Sequence, residues 1–251
     1  MKKVAGFIFM VVAGGGFAAC SHAAVESKKI DVDTKPFSVV LGAKRVVYEP
    51  DSSGAALRLE NEQDYPILVK SQVFDEDKKT PAGFVVTPPL FRLDAKQQSR
   101  IRITRISGAF SPQQETLKWL CVTGIPPKAD DTWAQGGKAP DKVSVSVQLS
   151  VSTCIKLLIR PSSIKGESSE RAGDMTWSRD GNKLIAKNPS PFYMSLTSLS
   201  VGGKHLEELG YVAPSSTRDF DLPPGAGGLV EWTVMNDYGG DSKTYSVTLK
   251  P

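Results

Sequence analysis

The sequence predicts an all-β protein, and three observations lead to this fold class. Apolar segments are short and alternate with polar residues, which is the pattern of half-buried strands. Proline and glycine mark the ends of these segments, and no stretch keeps a helical period over three turns. The segments fall into two sets along the chain, which two β-sandwiches explain most economically.

The N-terminus has the features of a secretory signal peptide. Lys2 and Lys3 precede an apolar run over residues 4–19, and small residues follow it up to Ala24. A membrane-spanning helix is not expected, because three glycines at 14–16 interrupt the run and no stop-transfer flank follows. We therefore predict a signal peptide at 1–24 and an exported mature chain.

The cysteines agree with export. Residues 17–20 loosely resemble a lipoprotein box ending at Cys20, but Phe17 is a poor first residue for one, so lipidation is the less favoured alternative. Cleavage after residue 24 removes Cys20 and leaves Cys121 and Cys154. A disulfide between them is the default expectation in an oxidising compartment.

About 225 residues remain after cleavage, enough for two domains of ordinary size. The first set of candidate strands is 37–41, 45–48, 55–60, 67–74, 83–87, 100–104, 116–123 and 143–160. The second set is 174–178, 183–187, 192–201, 228–235 and 243–250. A polar, serine-rich segment at 161–172 separates the sets, so we predict domains at 25–161 and 162–251.

A catalytic centre is hard to build from this chain. His205 is the only histidine after residue 24, which excludes a zinc site made of two or three imidazoles within one mature chain. There is no Gly-x-Ser-x-Gly elbow and no phosphate-binding loop. Ser162 and Lys165 match a Ser-x-x-Lys pattern, but so short a match is expected by chance. We predict no enzyme activity, catalytic residue, metal, cofactor or small-molecule substrate.

Charge argues against a polyanionic partner. The formal net charge is +4 and falls to +2 once Lys2 and Lys3 are removed. The basic residues are spread along the chain rather than clustered. We therefore expect no nucleic acid and no membrane surface as a partner.

The most informative segment is an unbroken alternation over residues 143–151. Its polar positions are three serines and one glutamine, so no charge discourages another chain from pairing with it. One interpretation is an ordinary core strand, and the other is a strand that pairs with a partner protein. The aliphatic residues are Val143, Val145, Val147, Leu149 and Val151.

Six blocks resemble, in order, the signature blocks of the periplasmic pilus chaperones, the PapD-like family. Each block is weak alone, but together they span nearly the whole mature chain. A long segment at 125–142 and the two remaining cysteines are similar to the long-loop, disulfide-bearing branch of that family. The blocks are residues 42–48, 87–93, 124–127, 155–161, 188–193 and 236–240.

The resemblance implies two immunoglobulin-like domains in an L-shape and a function in the periplasm. The chaperone would bind fibre subunits by lending them a donor strand, and would deliver them without ATP to an outer-membrane usher. The donor strand would be the alternating segment, with its five aliphatic residues inserted in the subunit. The alternative is a secreted fibre subunit or adhesin that polymerises through this segment itself.

The resemblance also assigns roles to charged residues. Arg45 and Lys156 match two cations that hold the subunit's C-terminal carboxylate and so fix the register of the donor strand. Glu115, Arg160 and Asp237 match a buried charge cluster that sets the angle between the domains.

Overall fold

A computed structural model describes residues 31–127 and 144–249. Side chains are described for residues 34–127 and 147–249. The predicted signal peptide and Val143 lie outside the described residues. The strands of the first domain are β1 (Asp31–Phe37), β2 (Val40–Leu41), β3 (Arg45–Tyr48), β4 (Ala55–Glu60), β5 (Ile67–Phe74), β6 (Phe84–Thr87), β7 (Leu90–Leu93), β8 (Gln98–Arg105), β9 (Thr116–Ile125) and β10 (Ser144–Ile159). Those of the second domain are β11 (Thr176–Asp180), β12 (Lys183–Asn188), β13 (Met194–Val201), β14 (Lys204–His205), β15 (Tyr211–Val212), β16 (Ser216–Asp221), β17 (Leu229–Val234) and β18 (Tyr245–Thr248).

The first domain consists of two sheets that enclose one apolar core. One sheet has the order β1-β10-β9-β5-β7, with β3 also paired to β10, and the other has the order β2-β4-β8-β6. Alternate residues of both sheets point inward, as in β4, where Leu57 and Leu59 are buried and their neighbours are not. Leu59, Ile67, Ile103 and Leu157 are completely buried in this core.

The second domain repeats this arrangement on a smaller scale. A sheet in the order β11-β12-β16 faces a sheet in the order β14-β13-β17-β18, with β15 paired to β13. Their common core contains Leu184, Phe192, Met194 and Trp232. The prediction of an all-β protein with two sheet-rich domains is therefore confirmed.

Several parts of the fold differ from the sequence predictions. Residues 31–37 form strand β1, which pairs in parallel with β10, although Asp31, Asp33, Lys35 and Pro36 do not have the composition of a strand. This pairing uses the backbone, and an edge strand tolerates a proline that cannot donate a hydrogen bond. The predicted linker contains a short helix, α1 (Ser168–Arg171). Strands β7, β14, β15 and β16 also lie outside the predicted segments.

Within the ranges 31–127 and 144–249, no helix is long and apolar enough to cross a bilayer.

Candidate functional site

The long strand β10 has one continuous face that changes environment along its length. Ile155, Leu157 and Ile159 alternate on this face and are buried in the core of the first domain. Val147 and Leu149 continue the same face toward the N-terminal end of the strand, but they are 37% and 48% exposed. The strand therefore extends an apolar face beyond the core that its other half completes.

The other members of the predicted donor strand are described less fully. Val151 is half-buried, and Thr153, the next residue on the same face, is exposed before the buried half begins at Ile155. Val145 is placed by its backbone, which lies opposite Val32 of β1. The residues that alternate with the aliphatic ones, Gln148 and Ser150, are also exposed, so neither face of residues 147–150 is covered by the described part of the chain.

The two edges of the exposed half of β10 are not equivalent. Along Ser144–Ser150 one edge pairs with β1, whereas β9 begins to pair only at Val151. The second edge of this half thus has no paired strand among the described residues. Such an edge carries free backbone donors and acceptors that another chain can pair with.

The end of β1 is held tightly against the first domain. The Tyr65 hydroxyl donates a 2.7 Å hydrogen bond to the Pro36 carbonyl, and the rings of Phe37 and Tyr65 lie 5.1 Å apart. A Cβ atom at Gly124 would be 2.1 Å from the Phe37 carbonyl oxygen, so this crossing requires glycine. This close approach explains the glycine of the block at 124–127.

Arg45, Lys156 and Trp119 form one row across the sheet. Lys156 pairs with Arg45 of β3 and with Trp119 of β9, and directly paired residues project from the same face. This face points away from the core, toward the second domain. The Lys156 ammonium lies 5.8 Å from the centre of the Trp119 ring and 5.4 Å from that of Tyr211 on the second domain. We call the space between these four residues the cationic cleft.

Arg45 is buried without a full set of partners. Only 2% of it is exposed, and its Nη1 donates a 3.1 Å hydrogen bond to the Met235 carbonyl of the second domain. Its Nε and Nη2 atoms are buried and have no hydrogen-bond partner among the described residues. A buried unsatisfied donor costs about 1–3 kcal/mol, and more when it is charged. The arrangement therefore favours an anion that would satisfy these donors.

The charge state of Lys156 is also perturbed by its surroundings. Burial lowers the pKa of its ammonium to about 8, and the positive charges of Arg45, Lys78 and Arg218 contribute in the same direction. Burial likewise lowers the pKa of Arg45, although Glu115 and Asp237 partly offset this. Cations gathered at a site with lowered pKa values are stabilised when an anion binds.

Glu115, Arg160 and Asp237 come together between the domains, as the resemblance implies. The Arg160 Nε donates to a Glu115 oxygen at 2.8 Å, and its two terminal nitrogens donate to Asp237 at 2.6 and 2.8 Å. The second Glu115 oxygen accepts the backbone N–H of Tyr193 at 2.7 Å. Burial alone would lower the pKa of Arg160, but the two carboxylates more than offset this and hold it above its ordinary value. Each of the three buried charged groups thus has hydrogen-bond partners.

A small apolar cluster between the domains was missed by the sequence analysis. Leu117 and Leu158 of the first domain are buried against Tyr193 of the second, with Trp119 and Tyr211 at the margin. The rings of Tyr193 and Tyr211 are 5.4 Å apart in an edge-on arrangement. A signal was present, because apart from Lys118 both alternating faces of residues 117–122 are apolar, as expected for a strand covered on both sides.

Cys121 and Cys154 are joined by a disulfide, in agreement with the prediction. They lie directly opposite each other on β9 and β10, on the face that also carries Lys156. The bond therefore ties β10 to β9 near the point where β10 leaves the core. His205 lies in β14, and the described residues contain no group of three or more possible metal-ligating side chains.

Comparison with known proteins identifies the class to which this fold and site belong. The model "Pili and flagellar-assembly chaperone, PapD N-terminal domain" matches residues 38–165, and "Pili assembly chaperone PapD, C-terminal domain" matches residues 170–246. The chain belongs to the PapD family of pilus-assembly chaperones. The match over both domains supports a chaperone rather than a self-polymerising fibre subunit.

Particular relatives are similar over most of their length. The chain is 51% identical to the chaperone protein AfaB of Escherichia coli, over 86% of this chain and 88% of AfaB. It is 46% identical to the chaperone protein caf1M of Yersinia pestis, over 85% and 86% of the two chains. Among solved structures, the E. coli chaperone DraB has a TM-score of 0.78 at 51% identity, covering 88% of this chain and all of DraB. The chaperone SafB, in complex with the Salmonella enterica SafA pilin, has a TM-score of 0.79 at 43% identity and the same coverage.

Proposed function

We propose that this chain is a periplasmic chaperone that lends the N-terminal half of β10 to an incomplete fibre subunit. The observation that carries the proposal is the exposure of Val147 and Leu149 on the face that, farther along β10, completes the chaperone's own core. An incomplete subunit offers an apolar groove, and alternate side chains of an added strand fill such a groove. Five aliphatic residues that become fully buried contribute about 8–10 kcal/mol before ordering costs.

The unpaired edge of this half of β10 supports backbone pairing with the subunit. Its donors and acceptors would bond to a subunit strand, while the side chains enter the groove. The 43% identical chaperone SafB occurs in complex with a pilin, which is in keeping with this mode of action. The subunit is then handed to an outer-membrane usher, and no ATP site is needed because strand exchange requires no nucleotide.

Arg45 and Lys156 hold the subunit's C-terminal carboxylate in the cationic cleft. The unsatisfied Arg45 donors and the lowered pKa of Lys156 both favour an anion there. Because Lys156 is on β10 itself, an anchored carboxylate fixes which β10 residue meets which groove position. Glu115, Arg160 and Asp237 keep the two domains, and hence the two walls of the cleft, in a fixed arrangement.

The carboxylate anchor is tested by neutralising Lys156. Lys156→Met keeps much of the side-chain volume and should leave the chaperone folded, but abolish recovery of the co-expressed cognate subunit from the periplasm. The matched control is Lys70→Met, because Lys70 is an exposed lysine on β5 of the same domain. Subunit recovery is measured by co-purification, and folding by circular dichroism. Equal subunit recovery with both variants would show that the anchor is assigned to the wrong residue.

A further inference from the structure

Lys78 is a third cation beside the cationic cleft, and neither the sequence blocks nor the anchor accounts for it. Its ammonium lies 3.8 Å from the centre of the Trp119 ring, close enough for a cation–π interaction. The same ring faces Lys156 at 5.8 Å. Two lysines on separate elements therefore share one aromatic side chain.

The turn that carries Lys78 is held by contacts with both domains. It follows β5, and its Asp75 carboxylate forms an ion pair with Lys118 of β9. Its Glu76 carboxylate accepts a 2.7 Å hydrogen bond from the Tyr211 hydroxyl of the second domain. Asp77 closes the turn on itself by accepting the backbone N–H groups of Lys79 and Thr80 at 2.8 and 2.9 Å. The position of Lys78 over Trp119 is thus set by contacts with both domains.

The charges around the cleft are not balanced by its own carboxylates. Lys78 forms no ion pair with any of the described residues, and the Asp77 carboxylate is engaged within the turn. Around Lys156 lie Arg45 of β3, Lys78 of the turn, Arg218 of β16 and the ring of Tyr211. The described carboxylates near these cations are already engaged, because Glu76 accepts a hydrogen bond from Tyr211, and Glu115 and Asp237, which act on Arg45, accept hydrogen bonds from Arg160. The excess of positive charge favours an anionic occupant.

We infer that Lys78 is the third cation of the carboxylate site, held over Trp119 so that its charge acts on the anion bound between Arg45 and Lys156. This inference rests on the proposed carboxylate anchor and adds a positioning residue to it. Lys78 strengthens the attraction for the carboxylate at neutral pH. Because it also repels the Lys156 ammonium, it contributes to the lowered pKa of Lys156.

Removing the Lys78 charge should therefore weaken anion binding and, separately, raise the pKa of Lys156. The substitution Lys78→Gln tests both effects. The probe is acetate, titrated into the full mature chain and followed by the NMR signals of the Lys156 side chain. At pH 7 the variant should bind acetate about two- to fivefold more weakly, the range for a solvent-exposed charge. In the absence of acetate, the pKa of Lys156 should rise above its wild-type value of about 8.

Two matched variants show whether charge at this position is responsible. Lys78→Arg keeps the charge and should restore wild-type acetate binding. Lys79→Gln removes the neighbouring charge on the same turn and should change neither acetate binding nor the pKa of Lys156. The inference is overturned if Lys78→Gln behaves as Lys79→Gln does in both measurements. A wrong assignment of the carboxylate anchor would give a different result. In that case Lys156→Met would bind acetate as tightly as wild type, with binding followed by the NMR signals of Lys78.

Discussion

The two halves of β10 carry aliphatic side chains at alternate positions of one face but have different surroundings. In the C-terminal half, Leu157 is completely buried by both sheets of the first domain. In the N-terminal half, Leu149 has the same side chain on the same face and is 48% exposed. Side-chain pattern therefore does not decide whether a residue stabilises its own fold or is available to a partner. That outcome depends on where the opposing sheet ends.

The largest difference between the halves should appear when a charge enters the exposed half. Val147→Asp would place a carboxylate in the apolar groove of the subunit. Burial raises such a pKa by about 3–5 units, so the carboxyl group would enter the groove protonated, and protonating it at pH 7 costs about 4 kcal/mol of binding. We expect the variant to melt as wild type does and to recover no subunit on co-purification.

Gln148→Asp is the matched control, because Gln148 is the exposed neighbour on the opposite face. It should retain most of the subunit binding. Equal loss of subunit with both variants would mean that the two faces are not distinguished by the partner.

Removing the same side chain from each half should sharpen the comparison. Leu157→Ala should lower the free energy of unfolding by about 2–5 kcal/mol, because it leaves a cavity in a closed core. Leu149→Ala should leave the unfolding transition of the free chaperone nearly unchanged but weaken subunit capture. Urea unfolding measures the first effect, and competition between wild-type and variant chaperone for one subunit measures the second. A large loss of stability with Leu149→Ala would place that residue in the chaperone's own core.

The smallest expected effect is on pH dependence, through Lys156 at the boundary between the halves. Its pKa of about 8 in the free chaperone means that the ammonium loses its proton as the pH rises through 8. A bound carboxylate favours the charged form, so subunit affinity should fall by up to about tenfold per pH unit above 8. Below pH 7 this group should cause no change in affinity.

The stability of the free chaperone should change in the opposite direction over this range. Between pH 8 and the ordinary lysine pKa, the unfolded chain holds more protons at this position than the folded one, so Lys156 contributes stability that increases with pH. Thermal melting of wild type and of Lys156→Met across this range measures the contribution. Identical pH dependence in the two proteins would mean that Lys156 titrates with an ordinary pKa.

The sequence alone determined the fold class and the disulfide, and it predicted the donor strand. Alternation over residues 143–151 required an extended strand, because a period of two separates apolar from polar residues only in a strand. Two cysteines downstream of a predicted export signal were sufficient to predict the disulfide between Cys121 and Cys154, which the structure contains. The family resemblance predicted that Arg160 lies with Glu115 and Asp237, and the structure contains these contacts.

Only the tertiary structure decided which parts of β10 are exposed and what surrounds its cations. Residues 31–37 have no strand-like composition, and they became β1 because the backbone of β10 offered an edge to pair with. Lys78 and Tyr211 are 78 and 55 residues from Lys156 in the sequence, and no local pattern relates them to it. Their positions depend on strand register and on the packing of one domain against the other, which bring distant residues together through contacts that a linear pattern does not contain.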